Sequence, residues 1–317
     1  MINCNFSKLL YETHQIRKSG VRNLADSDFD HIETIWLGIY GLGKFETYFF
    51  LYSECRDFEH FIDWVTQLKG QDFVNRADEQ FKKWQNLERG SETTEILPSN
   101  VLSAEQVKFW EENGYLRIPK VVDGAHCDAV KHKICRYLNL HLEFPETWYV
   151  PHPDWQGIML QLYQNEEMEV IRQDPHIFDI FAALYKSTKI IPNTEKLGYN
   201  PPETQGWAFR HGNLHWDLDL SHPVTPHIQA LVYLDDVPIE RGPLHLVPGF
   251  NNKFKDWIRD FSSLDRAHEY MRITERSVPV PGEKGDLILW QNTIPHAAGK
   301  NQSDLPRFVQ YISFTKI

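Results

Sequence analysis

The chain has 317 residues, of which 41% are hydrophobic and 24% charged, ordinary values for a globular protein with one large domain or two modest ones. Its formal net charge of −11 speaks against a nucleic-acid partner, because a phosphate backbone repels an acidic surface. No stretch approaches the ~20 consecutive apolar residues that span a bilayer, so no membrane partner is expected either.

Residues 1 to 92 read as an accessory region. Within it, Ile32 to Tyr40 and Phe45 to Tyr52 are rich in β-branched and aromatic residues around Gly41-Leu42-Gly43-Lys44, which predicts a β-hairpin. Phe58, Phe61, Ile62, Trp64, Val65 and Leu68 then recur at helical spacing, and a charged helix follows through Gln80 to Leu87. The polar run Arg89 to Thr94, with Pro98 beyond it, marks a linker placed at residues 93 to 102.

The main domain is expected over residues 103 to 317. Ser103 is a suitable N-cap with Gln106 placed for a capping box, and the helix it opens ends at Asn113-Gly114. The strand Tyr115 to Pro119 and a helix from His126 to about Leu140 follow. Residues 145 to 165 look irregular, and a further helix begins near Pro175. From Lys189 onward the pattern changes to short strand-like runs, clearest at Ile228 to Leu234, Leu244 to Val247, Leu287 to Trp290 and Arg307 to Phe314. Many short strands after a helical half predict an α+β protein whose core is a double-sheet jelly roll flanked by helices.

Cys4, Cys55, Cys127 and Cys135 form no C-x-x-C pair or zinc spacing, and Met1 to Leu10 lacks the apolar core of a secretory signal. A cytoplasmic location is the expectation. The ten Trp suit either a dense core or an aromatic-lined pocket, and composition does not choose between them.

His215-Trp216-Asp217 is the first motif with chemistry. On a strand, an H-x-D places imidazole and carboxylate on one face, and a histidine from a distant strand would complete two His and one carboxylate. Such a set leaves metal positions open, the geometry of non-heme Fe(II) oxygenases. Among fifteen histidines the pattern alone is weak. Its C-terminal context strengthens it: Gly285-Asp286 opens the strand Leu287 to Trp290, Pro295-His296 lies just beyond, and Arg307 opens a mostly apolar strand. An inward-pointing arginine there needs a counter-charge, which a bound dicarboxylate would supply to its planar fork. The bland alternative is an arginine that reaches the surface or pairs with an acidic residue.

From about residue 103 to 317 the sequence resembles the phytanoyl-CoA dioxygenase-like family of Fe(II)/2-oxoglutarate oxygenases. The matching segments are Glu105-Gln106 to Tyr115-Leu116, His215-Trp216-Asp217, Tyr233-Leu234-Asp235-Asp236 and Gly242-Pro243-Leu244 to Val247-Pro248-Gly249-Phe250. They continue through Gly285 to Trp290, His296 to Gly299, Asn301, Ser303 and Arg307. The resemblance implies a double-stranded β-helix, with His215, Asp217 and His296 as iron ligands and Arg307 on the distal carboxylate of 2-oxoglutarate. It implies Fe(II), 2-oxoglutarate and O2 as cofactors, a small-molecule substrate, and release of succinate and CO2. Two positions depart from the family pattern. Ala298 stands where a hydroxylic residue is common, and Asn200 stands before Pro201-Pro202 where a basic one is common, which brings in nearby Lys196 as a cosubstrate contact. Asp217 favours hydroxylation or another oxidation over halogenation, since halogenating relatives lack this carboxylate.

For substrate contacts the candidates are Arg210, Trp155 and Tyr163, within the aromatic runs His152 to Tyr163 and Trp207 to His211. Ordinary packing is the commoner fate of such residues. Asp219, His222 and His227 read as loop residues rather than ligands. The first 92 residues have no counterpart in the family core; they could dock a carrier or partner protein, form an oligomer surface, or pack on the barrel. The rival readings are a catalytically silent relative serving as a ligand-binding or interaction module, and a cupin-like isomerase without 2-oxoglutarate.

Overall fold

The structure, a computed structural model, describes residues 4–20, 27–87, 95–209, 212–218, 220 and 223–317. The chain forms two compact units. The first comprises Met1–Leu97 with Ser187–Thr194 and Thr315–Ile317, and the second Pro98–Lys186 with Glu195–Phe314. The linker expected at 93 to 102 lies partly outside the described residues.

The first unit is helical where a hairpin was expected. Its elements are α1 (Cys4–Lys18), α2 (Ser27–Ile39), α3 (Lys44–Phe49), a π-turn at Phe50–Glu54, α4 (Phe58–Lys69) and α5 (Gln71–Leu87). The β-rich composition of Ile32 to Tyr40 misled because the same residues also satisfy a helical period. Ile32, Ile35, Trp36, Ile39 and Tyr40 share one stripe, and all but half-buried Ile32 are buried in the core. Trp36 stacks on Tyr40 at 4.2 Å between ring centroids. The start of α3 is fixed by Glu46, whose carboxylate accepts the Gly43 N–H at 3.0 Å.

One polar network crosses this core. Glu33, fully buried, accepts from Tyr48 Oη at 2.7 Å and meets His14 Nε2 at 2.5 Å, while His14 Nδ1 meets Tyr52 Oη at 2.7 Å. Removing the carboxylate strands buried His14 and half-buried Tyr48. Glu33→Ala is therefore expected to cost about 3 kcal/mol in chemical denaturation. A loss below about 0.5 kcal/mol would mean that His14 and Tyr48 find other partners.

The second unit opens as the sequence indicates. Ser103 and Gln106 form the capping box of α6 (Ala104–Asn113), and Gly114 at φ 72° ends it in the left-handed conformation that glycine tolerates. Then come β1 (Tyr115–Ile118), α7 (Gly124–Leu138), a 3-10 turn at Pro145–Tyr149, β2 (Trp155–Gln156), β3 (Met159–Leu160), α8 (Glu166–Arg172) and α9 (Pro175–Tyr185). The short β4 (Ile190–Pro192) falls within the first unit. The chain continues with β5 (Leu197–Asn200), β6 (Ile228–Tyr233), β7 (Leu244–Leu246), α10 (Asn251–Trp257), α11 (Leu264–Thr274), β8 (Val278–Val280), β9 (Leu287–Gln291), β10 (His296–Ala298) and β11 (Arg307–Lys316). The expectation of strands alone after Lys189 missed α10 and α11. Trp257, Met271 and their neighbours bury an apolar face that no short-strand pattern would reveal.

The large sheet runs β1-β9-β6-β11-β5-β3-β2 and the small one β10-β7-β8, with antiparallel pairing. From β6 to β11 the chain passes back and forth between the two sheets, which makes a jelly roll, the double-stranded β-helix. The inner face of β11 carries Arg307, Val309, Tyr311 and Ser313, opposite Tyr233, Leu231 and Gln229 of β6. Its other face meets helices: Phe314 lies 4.6 Å from Phe181, and Gln310 donates to the Met168 carbonyl. Among the described residues no helix is long and apolar enough to cross a membrane.

Candidate metal and cosubstrate site

His215 does not lie on a continuous strand. It forms a one-residue antiparallel bridge with His296, with both backbone hydrogen bonds at 3.0 Å, and so extends the edge of the small sheet at β10. The bridge places the two imidazoles side by side, 4.5 Å between ring centroids. Asp217 Oδ1 lies 3.6 Å from His215 Nε2, and its Oδ2 lies 3.4 Å from His296 Nε2. One donor atom from each residue falls within 4.8 Å of the others, a spacing that one metal ion can bridge. Asp217 is exposed, His215 half-buried and His296 buried, so the cluster opens on one side.

Both imidazoles are oriented by carbonyls. His215 Nδ1 donates to Asn213 O at 3.0 Å and His296 Nδ1 to Ile294 O at 3.3 Å. Each ring therefore turns Nε2, with its lone pair, toward Asp217. Burial, and then the neighbouring His296, push the His215 pKa down, which keeps it neutral and able to ligate. The Asp217 carboxyl is held below the usual carboxylate range although desolvation opposes ionisation, because the His296 and His215 rings and the Gln229 amide around it favour the carboxylate.

A relay missed by the sequence reading steadies Asp217. Gln229 Nε2 donates to Asp217 Oδ2 at 2.8 Å, and Gln229 Oε1 accepts from Trp290 Nε1 at 3.0 Å. Gln229 and Trp290 face each other across β6 and β9, so sheet register builds the relay. Its only sequence signal was one amide in the otherwise apolar run Ile228 to Tyr233. Gln229→Leu is expected to weaken metal affinity about 10–100-fold while leaving the three donors in place. Titration with Mn(II) or Fe(II) reads the change, and an unaltered affinity would remove Gln229 from the site.

Arg307 is 2% exposed. Its Nη1 donates to the Gly242 carbonyl, while its Nε has no hydrogen-bond partner among the described residues. Nor does any described carboxylate pair with it. The phenols beside it do not provide the missing charge. Burial pushes Tyr233 up to about 12 and also raises Tyr311, so both stay neutral. The Asn200 Oδ1, opposite Arg307 in register, is a second buried atom without a described partner. A buried cation beside vacant hydrogen-bonding atoms suits an anionic ligand.

Backbone contacts tie this corner to the histidines. A side chain at Gly242, where φ is 66°, would come within 2.6 Å of Gly299 O, and Gly299 N donates to Pro243 O at 2.8 Å. Gly299 follows β10, which carries His296. Lys196 is on the same wall, its Nζ 5.9 Å from the Tyr311 ring centroid.

The other candidates are divided. Trp155 lines a cavity of about 380 Å³ with Tyr149, Pro151, His152, Gly157 and residues 206–209. Tyr163 is buried, donates to Gln161 and is not among those lining residues. Arg210, His211, Asp219 and His222 lie outside the described residues. His227 is held by Asn292 through its backbone N–H at 3.2 Å and takes no part in the metal cluster.

The family model described as Phytanoyl-CoA dioxygenase (PhyH) matches residues 110–309. The chain is similar to the peroxisomal phytanoyl-CoA dioxygenase of Bos taurus, 24% identical over 224 residues, covering 65% of this chain and 66% of the relative. The Homo sapiens protein of the same name is 23% identical over 227 residues, with 65% and 66% covered. The chain thus spans just under two thirds of the length of these curated relatives. In fold it is similar to the non-heme alpha ketoglutarate dependent carbocyclase SnoK from nogalamycin biosynthesis. That likeness has a TM-score of 0.51 at 20% identity and covers 70% of this chain and 87% of that one.

Proposed function

The chain belongs to the phytanoyl-CoA dioxygenase family of Fe(II)/2-oxoglutarate oxygenases, and from that premise we propose that it hydroxylates an unactivated C–H bond of a small molecule of lipid or natural-product type. The observation that carries the reading is the convergence of His215, Asp217 and His296 in one cluster, with a buried Arg307 that has no counter-charge among the described residues.

In this reading His215 and His296 hold iron through Nε2 and Asp217 through its carboxylate, all three aimed by the partners described above. Arg307 grips the distal carboxylate of 2-oxoglutarate, with Asn200 and Lys196 supporting the same ligand. Iron, 2-oxoglutarate and O2 supply the oxidising power, with succinate and CO2 as by-products. The protein's own work is to orient the ligands, neutralise the dicarboxylate and hold the substrate against the open side of the cluster.

The test is 2-oxoglutarate turnover with Fe(II), wild type against His215→Ala. No succinate above the variant's background, together with no 2-oxoglutarate binding, would overturn the reading and leave a catalytically silent ligand-binding or interaction module. We further propose residues 103 to 317 as the catalytic domain, joined through 93 to 102 to a region, 1 to 92, that docks a carrier or partner protein. A cytoplasmic setting is supported by Cys55, Cys127 and Cys135, all of them free thiols.

A further inference from the structure

The cavity at Trp155 has a composition that bears on the substrate. Trp155 and Trp207 lie nearly parallel, 19° apart with ring centroids at 6.1 Å, and Tyr149 continues the wall 6.1 Å from Trp207. Two of these rings bond their polar atoms inward: Trp155 Nε1 donates to Tyr199 O at 3.3 Å and Tyr149 Oη to Pro202 O at 3.1 Å. Those two rings therefore turn carbon surface and π-face to the cavity. No lysine or arginine is among its described lining residues. His152 adds a polar corner. His152 Nδ1 accepts the Asp154 N–H at 3.2 Å, which puts the ring proton on Nε2, a donor for a hydroxyl or carbonyl oxygen.

One wall of the cavity also reaches the strand that carries His296. A Cβ on Gly212 would lie 3.3 Å from both the Phe209 ring and the Ala298 carbonyl, so Phe209, in the cavity lining, sits beside β10. Glu203 holds this wall to the cosubstrate corner: it accepts the Phe209 N–H at 3.1 Å, and its own N–H donates to Asn301 O at 2.7 Å.

We propose that this cavity binds an uncharged cyclic or aromatic small molecule, its ring laid against Trp155 and Trp207, and that these two tryptophans set substrate choice. The proposal deepens the oxygenase reading, on which it rests for what is done to the ring. A coenzyme A thioester fits less well, because its phosphates call for cations that the described lining lacks. A flexible acyl chain would gain little from flat, fixed π-faces.

Binding can be read without turnover, by equilibrium dialysis of the full chain with 2-naphthol, 1-decanol and octanoyl-CoA. Saturable binding of 2-naphthol is expected, at least about tenfold tighter than either other probe. Trp155→Ala and Trp207→Ala should each weaken it about tenfold or more, whereas Trp155→Phe, which keeps an aromatic face, should stay within about threefold. Circular dichroism shows whether each variant is folded. The dialysis contains neither Fe(II) nor 2-oxoglutarate, so a failed oxygenase reading would not disturb this result. The proposal is overturned by absent naphthol saturation, by folded tryptophan variants that bind as wild type does, or by octanoyl-CoA or decanol binding as tightly.

Discussion

His215→Ala is expected to reduce 2-oxoglutarate turnover by roughly 1000-fold or more, to the level of free iron. Loss of an outer partner of a ligand typically costs 10–100-fold in metal affinity or activity, and loss of the ligand itself should exceed that. The remaining pair, His296 and Asp217, would hold iron with one fewer bond and without the imidazole that the His215–His296 bridge sets at 4.5 Å. The backbone bridge does not depend on the side chain, so the fold should survive; circular dichroism and the thermal midpoint would check this. Iron titration and succinate formation should fall together. A variant with turnover within threefold of wild type would remove His215 from the metal site.

Arg307→Leu should separate the two halves of the site. Its guanidinium is buried and lacks a described counter-charge, so its loss should raise the 2-oxoglutarate Kd about 100-fold or more. Iron binding should change little, because none of the three proposed metal donors is removed. Stability should respond with the opposite sign to affinity. Without cosubstrate, replacing a buried cation that has no described counter-charge by leucine is expected to be neutral or stabilising. Added 2-oxoglutarate should raise the midpoint of the wild type and not that of the variant. Arg307→Lys would keep the charge but lose the two-pronged grip, and an intermediate Kd is expected. A leucine variant that binds 2-oxoglutarate as tightly as wild type would assign the dicarboxylate to other residues, with Lys196 first among them.

The sequence by itself determined the donor chemistry and much of the second unit's element order. Few residue types can ligate iron or fork onto a carboxylate, so His215, Asp217, His296 and Arg307 stood out by type and order. The capping box at Ser103 and Gln106 and the left-handed Gly114 are local devices, and local devices are readable from neighbours in sequence. The tertiary structure decided what depends on partners distant in the chain. Ile32 to Tyr40 suits a strand by composition and a helix by period, and only the apolar core around Trp36 resolves the choice. His215 reaches its place through a single bridge to His296 rather than through a strand of its own. The Trp290–Gln229–Asp217 relay exists because β6 and β9 pair in one register. That Arg307 lacks a counter-charge among the described residues emerges only when β5, β6 and β11 come together around it, since this is a property of the enclosed space and not of any segment.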